Sequence, residues 1–375
     1  MDQSLKKVIY FANVFPSYRK ELWKELLSLK KIDFNIFFSQ KEFQGIEGTS
    51  IDSFFTRSET KKLHQLKNIK LFGHIWWQWG ILKILIFKNY DSVIFLGDIK
   101  IITNWLGIII CKIRRKKIGL WTHGIYGNEK SIKKTIRYFF LNLADNIFLY
   151  ERRAKRILLR HNFLNEKLHV VYNSINLNIQ TKVYQSLDFQ FKRKHNVYNL
   201  IFFGRLTKVK RIDLAIDAVI RLNRKNRKYL LKIVGDGPQE EYLKKRVKES
   251  DAHEYISFEK GKYCEYEIGQ MFMNSDLLLS PGNVGLNAVH AMFYGTPVLT
   301  HNDFNNQMPE SEIIEEGFNG IFYKKNSLMS IQEKTEQWFR INFDSWNRDN
   351  IRKKLIKKYN PKYQAQIFEQ VLYNK

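Results

Sequence analysis

The stretch 277–300, LLLSPGNVGLNAVHAMFYGTPVLT, passes from an apolar run through a Gly/Asn loop into helix-like sequence and back to an apolar run. Residues 277–279 and 297–300 read as short buried strands, and 285–294 as the helix between them. Strands that alternate with helices in this way predict a parallel sheet covered on both faces.

The same grammar holds on either side. Residues 199–203, 230–234, 256–258 and 320–322 are further strand candidates, with helices expected over 212–223, 239–250, 266–274 and 327–343. The first half repeats the pattern, with strands over 8–14, 32–38, 92–96, 118–122, 146–149 and 168–172. Its helices are expected over 18–29, 76–88, 100–113, 130–143 and 152–161. Residues 179–198 are polar, basic and weakly periodic and read as a linker. The expected organisation is an N-terminal α/β domain over 1–178, a C-terminal one over 199–346, and closing helices over 347–375, broken near Pro361, that pack back toward the N-terminal domain.

Composition narrows the class. The chain has 375 residues with 28 Phe, 19 Tyr and 8 Trp, enough apolar surface to offset the entropy of ordering, so intrinsic disorder is excluded. Its length suits two domains of ordinary size. Cys111 and Cys264 are its two cysteines, which excludes a disulfide framework and fits a reducing, cytoplasmic compartment. No apolar run reaches the roughly 18–20 residues of a spanning helix. The start, MDQSLKKVIYFANVF, runs from two lysines straight into strand-like sequence, so no signal peptide is expected. The formal net charge is +26, of which residues 1–178 carry +17 and the remainder +9. Such an excess favours an acidic partner: nucleic acid, an anionic membrane surface or a phosphorylated substrate.

In open α/β sheets ligands bind beyond the carboxyl ends of the strands. Three such exits are chemically rich here. In FFGRLTKVK (202–210), Gly204 permits a sharp turn, and Arg205 and Lys210 then stand within reach of one anionic group, a fork and a point charge that suit a diphosphate. In IVGDGP (233–238), a glycine turn at Gly235 precedes a helix, and taken alone this needs no ligand. In SPGNVGL (280–286), the amides of Val284, Gly285 and Leu286 at a helix start form an anion site.

FGRLTKVKRIDLAIDA, IVGDGPQEEYL, SPGNVGLNAVHAMFYGTPVLT and SEIIEEGFNGIFY occur in this order, and together they resemble the donor domain of the retaining GT-B glycosyltransferases of family four, the group 1 glycosyltransferases. WTHGIYG and LHVVYNSINL resemble that family's His-containing loop and the end of its N-terminal domain. The resemblance implies a GT-B fold, two Rossmann-like domains whose parallel sheets face each other across a cleft. It implies that Arg205 and Lys210 neutralise the diphosphate of a nucleotide sugar as it leaves. Val284, Gly285 and Leu286 would lie near the diphosphate and sugar, His123 would face the sugar near the reacting centre, and Glu312 would match an acidic position beside the next glycine turn.

The chain departs from that family at its two glutamates separated by seven residues. Gly282 and His290 occupy these positions, and neither is a carboxylate. His290 can still hydrogen-bond a ribose hydroxyl, and Asn283 can serve sugar hydroxyls. Catalysis in this fold leans on stabilising the leaving diphosphate and placing the acceptor. The fifteen aspartates include no pair two residues apart, so the Asp-x-Asp cation site of the other main glycosyltransferase fold is missing, and neither metal nor cofactor is expected.

The acceptor side is expected in the first half, at Tyr18 and Arg19 after the first strand and at Asp98 after another, although a helix-capping aspartate fits position 98 equally. Two basic clusters, Lys112 with Arg114 to Lys117 and Arg152 to Arg160, point to an anionic membrane surface, while Trp76, Trp77 and Trp79 read mainly as core. The expected function is transfer of a sugar from a nucleoside diphosphate to a lipid-linked glycan acceptor. The setting would be synthesis of surface polysaccharide such as lipopolysaccharide or capsule, at the inner face of the plasma membrane. The rival readings are a non-catalytic scaffold of the same fold and a basic nucleic-acid-binding protein. Against the latter, no nucleic-acid module is present.

Overall fold

The structure is a computed structural model. It describes residues 5–373 apart from 42, 44–47, 52–53, 128, 130, 188–196, 225–227 and 343–345. The chain divides into two compact units, residues 1–177 with 359–375, and residues 178–358.

The first unit is built on β1 (Lys6–Phe11), β2 (Ile32–Phe38), β3 (Leu63–Gln65), β4 (Lys67–Lys70), β5 (Trp76–Trp79), β6 (Ser92–Leu96), β7 (Lys117–Thr122), β8 (Asn146–Leu149) and β9 (Leu168–Val170). Seven of them form a wholly parallel sheet in the order β3-β2-β1-β6-β7-β8-β9, and β4 and β5 pair as a separate antiparallel hairpin. Around it lie α1 (Lys20–Leu27), α2 (Arg57–Thr60), α3 (Ile81–Phe87), α4 (Ile102–Ile113), α5 (Ser131–Asn142) and α6 (Arg152–Arg160). Strands covered on both faces read as continuous apolar runs, and alternate residues feed separate cores. Val8, Tyr10, Ile94, Trp121 and Phe148 pack on one face, and Ile9, Phe11, Val93, Leu120 and Ile147 on the other.

The second unit begins in α7 (Leu177–Ser186) and holds β10 (Tyr198–Phe203), β11 (Tyr229–Val234), β12 (Ile256–Glu259), β13 (Leu277–Ser280), β14 (Val298–His301) and β15 (Gly320–Tyr323). They form a parallel sheet in the order β12-β11-β10-β13-β14-β15. Its helices are α8 (Ile212–Asn223), α9 (Glu240–Glu249), α10 (Glu265–Met273), α11 (Leu286–Phe293), α12 (Leu328–Asn342) and α13 (Arg348–Ile356). The last helix of the chain, α14 (Pro361–Tyr373), belongs to the first unit, where it packs on α1. Its Phe368 ring lies 4.5 Å from that of Phe148, and Gln364 Nε2 donates to the Tyr172 carbonyl at 2.9 Å. The two closing helices therefore part company, since α13 packs on α11 in the second unit.

Two expectations fail. Residues 76–88 are not one helix: Trp76–Trp79 pairs with Lys67–Lys70 as a strand, and Gly80, at φ 90°, turns the chain into α3. The mixed period misled, because apolar residues at both two- and four-residue spacing fit either element. Trp76 packs against Phe43, with ring centroids 4.6 Å apart, but Trp79 is 64% exposed and not core. In the expected linker, residues up to Ser186 continue a helix and 188–196 lie outside the described residues.

Candidate active site

Each parallel sheet has one place where the strand order reverses, β1 beside β6 in the first unit and β10 beside β13 in the second. The chain leaves such neighbours in opposite directions, so a crevice opens between their exits. Residues 204–210 leave β10 and residues 281–285 leave β13, which brings two of the three motifs to one crevice. The third backs them. A Cβ on Gly235 would lie 1.9 Å from the Gly204 carbonyl oxygen, so the GDG turn can lie under the GRL turn only as glycine. Leu206 N–H then donates to the Asp236 carbonyl at 2.8 Å, and Gln239 N–H to that of Leu206 at 3.0 Å. Gly235 thus supports the site through packing.

The cations stand on this platform. Arg205 is exposed at the rim. Lys210 is partly buried, and its Nζ donates to the Asn283 carbonyl at 2.7 Å, tying the two loops together. Burial, then repulsion by Arg205, pushes the Lys210 ammonium down to about 8, while Glu310 pulls the other way. Gly282 N–H donates to the Lys210 carbonyl at 2.9 Å, and the Gly282 carbonyl accepts from Thr300 Oγ1 at 3.1 Å. A cavity of about 360 Å³ adjoins these loops, lined by Val209, Arg211, Gly282, Asn283, His301 and Lys325. A larger one of about 630 Å³ lies by Asn199, Leu230 and Ile256, at the starts of the strands, the opposite end of the sheet from these loops.

Of the three expected anion-binding amides, Val284 N–H is already taken: it donates to Gln307 Oε1 at 3.0 Å. Gln307 Nε2 in turn donates to Thr300 Oγ1 at 2.8 Å and to the His301 carbonyl at 3.0 Å, which anchors the loop to β14. Gly285, at φ 57°, caps α11 without a side-chain bond, and the amides of Gly285 and Leu286 face no acceptor among the described residues. Asn283 Oδ1 is buried without a hydrogen-bond partner among the described residues. Glu312, half-buried, and Glu310, 3% exposed, share the short turn Pro309–Ile313, which packs on α11.

His290 points into a polar network. Its Nδ1 lies 3.2 Å from Gln180 Nε2, which also donates to Glu265 Oε1 at 3.0 Å, and Tyr294 OH donates to the same oxygen at 2.8 Å. Burial lowers the affinity of this imidazole for a proton, against the pull of Glu265. Gln180, Glu265, Gln307 and Glu310 escaped the sequence reading because none stands in a strand-exit motif.

In the first unit, Tyr18 and Arg19 follow β1, Asp98 follows β6 and His123 follows β7. Arg19 is 6% exposed: its guanidinium lies 4.4 Å from the Trp121 ring centroid and Nη2 donates to Tyr150 OH at 2.6 Å. Tyr18 is half-buried, its ring centroid 5.6 Å from the same guanidinium. The His123 ring lies tilted against that of Tyr150, with centroids 4.5 Å apart, and its Nδ1 has no hydrogen-bond partner among the described residues. Burial, with the Arg19 and Arg137 charges added, pushes this imidazole down to about 4, so it is neutral near pH 7. Asp98 Oδ1 accepts from Lys100 N–H at 3.0 Å, a local turn contact. Among the described residues no group of three His, Cys, Asp or Glu is placed to hold a metal ion.

Residues 184–361, almost all of the second unit, match the family described as Glycosyl transferases group 1. Over 147 residues the chain is 26% identical to the alpha-monoglucosyldiacylglycerol synthase of Acholeplasma laidlawii, a match covering 38% of this chain and 35% of that protein. The chain thus spans about a third of the length of that relative. Among solved structures it is similar to the lipopolysaccharide outer core galactosyltransferase WaaB, with TM-score 0.70 and 17% identity over 99% of both chains. It is likewise similar to Anabaena HepE in complex with UDP and glucose, with TM-score 0.66 and 17% identity over 99% of this chain and 100% of that one. At such identity these likenesses establish the fold: GT-B, with two Rossmann-like units.

Proposed function

We propose that this chain is a glycosyltransferase that takes a sugar from a nucleoside diphosphate donor bound to its second unit and passes it to a lipid-linked glycan acceptor bound to its first. The observation that carries the reading is the convergence of Arg205, Lys210 and the open amides of Gly285 and Leu286 on the exits of two adjacent strands, β10 and β13. A leaving diphosphate develops charge there as the glycosidic bond breaks, and fixed donors in a partly dry crevice stabilise that charge more than they stabilise the ground state. Arg205 supplies a fork, Lys210 a point charge and α11 its N-terminal dipole. Neutral His123 hydrogen-bonds a hydroxyl of the transferred sugar, and Tyr18, Arg19 and Asp98 line the acceptor side. UDP is the first donor nucleotide to test, on the precedent of HepE, and transfer proceeds with retention. With Arg205 and Lys210 serving the diphosphate, no divalent ion is required, and turnover should persist in chelator.

A membrane setting is supported by the surface of the first unit. No helix of the described residues is long and apolar enough to cross a bilayer. Yet Leu106, Ile109 and Ile113 on α4 and Ile132, Ile136 and Phe139 on α5 are exposed at helical spacing. Trp105 of α4 stacks on Phe139 of α5 at 6.2 Å, and α3, with exposed Ile86 and Phe87, packs on α4. Lys112, Arg115 and Lys133 are exposed on the same two helices and their ends, so an apolar face flanked by cations meets anionic headgroups. The second basic cluster contributes less. Arg152 donates to Tyr172 OH and Arg153 to the Tyr126 carbonyl, while Arg156 and Arg160 stay exposed.

Thermal-shift screening against nucleotide sugars, followed by transfer assays on glycolipid acceptors, tests the assignment. Stabilisation by at least one nucleotide sugar is expected, and its loss in Arg205→Ala. A protein that no nucleotide sugar stabilises would sink the reading.

A further inference from the structure

The donor crevice contains a carboxylate that no strand-exit motif announces. Glu310 is 3% exposed and sits on the turn Pro309–Ile313, packed on the helix whose first amides face the crevice. The segment before it is laid along the β13 exit: Gln307 accepts the Val284 amide at 3.0 Å, and Met308 Cγ lies 3.8 Å from where a Cβ on Gly285 would be. Glu310 also acts electrostatically on Lys210, whose Nζ holds the Asn283 carbonyl.

A carboxylate buried beside an anion-binding pair needs a reason. It repels a phosphate, so it weakens the very interaction that Arg205 and Lys210 provide, and burying it is costly. Ionised, it only accepts hydrogen bonds, and its natural partners in a nucleotide sugar are the hydroxyls. Nor can the β13 exit supply such a group itself. A Cβ on Gly282 would lie 2.2 Å from the Val209 carbonyl oxygen and 2.5 Å from Lys210 Cα, so any side chain there collides with backbone.

We propose that Glu310 is the sugar-binding carboxylate of the donor site, supplied from the turn after β14 because the backbone of residues 209–210 closes position 282 to every side chain. The proposal rests on the nucleotide-sugar reading. It predicts a separation that packing alone would not produce, since Glu310 should matter for the sugar and not for the nucleoside diphosphate.

The test uses UDP and UDP-glucose as probes on the full chain, or the equivalent pair of whichever nucleotide the donor screen selects. Affinity is read by calorimetry, with the UDP thermal shift as the check on folding. Glu310→Gln is expected to bind UDP within threefold of wild type, or more tightly, and UDP-glucose at least tenfold more weakly. Glu310→Asp retains the charge but not the reach, and should fall between the two for UDP-glucose alone. It serves in place of the glutamine variant should that not fold. Parallel loss of both ligands, or no loss of either, overturns the proposal while leaving the donor site in place. A wild-type protein that binds neither member of any pair overturns the reading beneath it.

Discussion

Lys210 and Arg205 share one consequence and differ in another. Removing either should lower kcat by about 100-fold or more in a protein that still folds, since one transition-state donor is worth roughly 3–4 kcal/mol. Only Lys210 should make donor binding depend on pH. Its ammonium is held at about 8, and a bound diphosphate favours the protonated form. Donor affinity should therefore be flat below pH 8 and fall as pH rises above it, and Lys210→Arg should abolish the fall. His123 runs the other way: at about 4 it is neutral through the working range, so the pH–rate profile should show no limb near 6.5 from it. Its removal should still depress kcat. That residues 204–210 and 281–285 leave parallel strands was legible in the sequence, because an apolar run that ends in glycine marks the exit of a buried strand. The capture of the Val284 amide by Gln307 was not, since it joins residues 23 apart through a side chain whose direction no local pattern encodes.

The loop after β13 illustrates what an element imposes on its members. Gly282 is not an eroded glutamate waiting to be restored, because the 209–210 backbone occupies the side-chain volume. Gly282→Glu should lower Tm and abolish donor binding, and Gly282→Ala should already be destabilising, a steric cost of the order of 1–3 kcal/mol. Recovered activity in Gly282→Glu would contradict this geometry. The parallel strands were visible at once as short apolar runs, since burial on both faces leaves little else to choose. The β4–β5 hairpin was missed because the tryptophans at 76, 77 and 79 satisfy two periods, and α7 because it is held by polar contacts of Gln180 and not by an apolar stripe.

Taken as a molecule, the protein carries its positive charge unevenly, and the first unit holds both the larger share and the exposed α3–α4–α5 face. Co-sedimentation with vesicles containing anionic lipid should be strong at low salt and weak with neutral vesicles. Ile109→Glu with Ile113→Glu should reduce it several-fold while donor binding in the second unit is unchanged. Binding that ignored both lipid charge and these substitutions would place the surface elsewhere. The excess of charge was plain in the sequence. The face was not, because exposure of Ile113 or Ile132 depends on which side of each helix the sheet already covers.

The return of α14 to the first unit also orders events in time. During synthesis the contiguous second unit, residues 178–358, is complete before the first unit can be, since the latter waits for the last residues to supply Phe368 and Ala365 to the core shared with Trp23 and Phe148. Until then an apolar groove on the earliest-made part of the chain stands open, and the nascent protein depends on its final helix, or on a chaperone holding that groove, to finish folding. Truncation ahead of Pro361, which removes α14, should thus cost the first unit its stability while sparing the second.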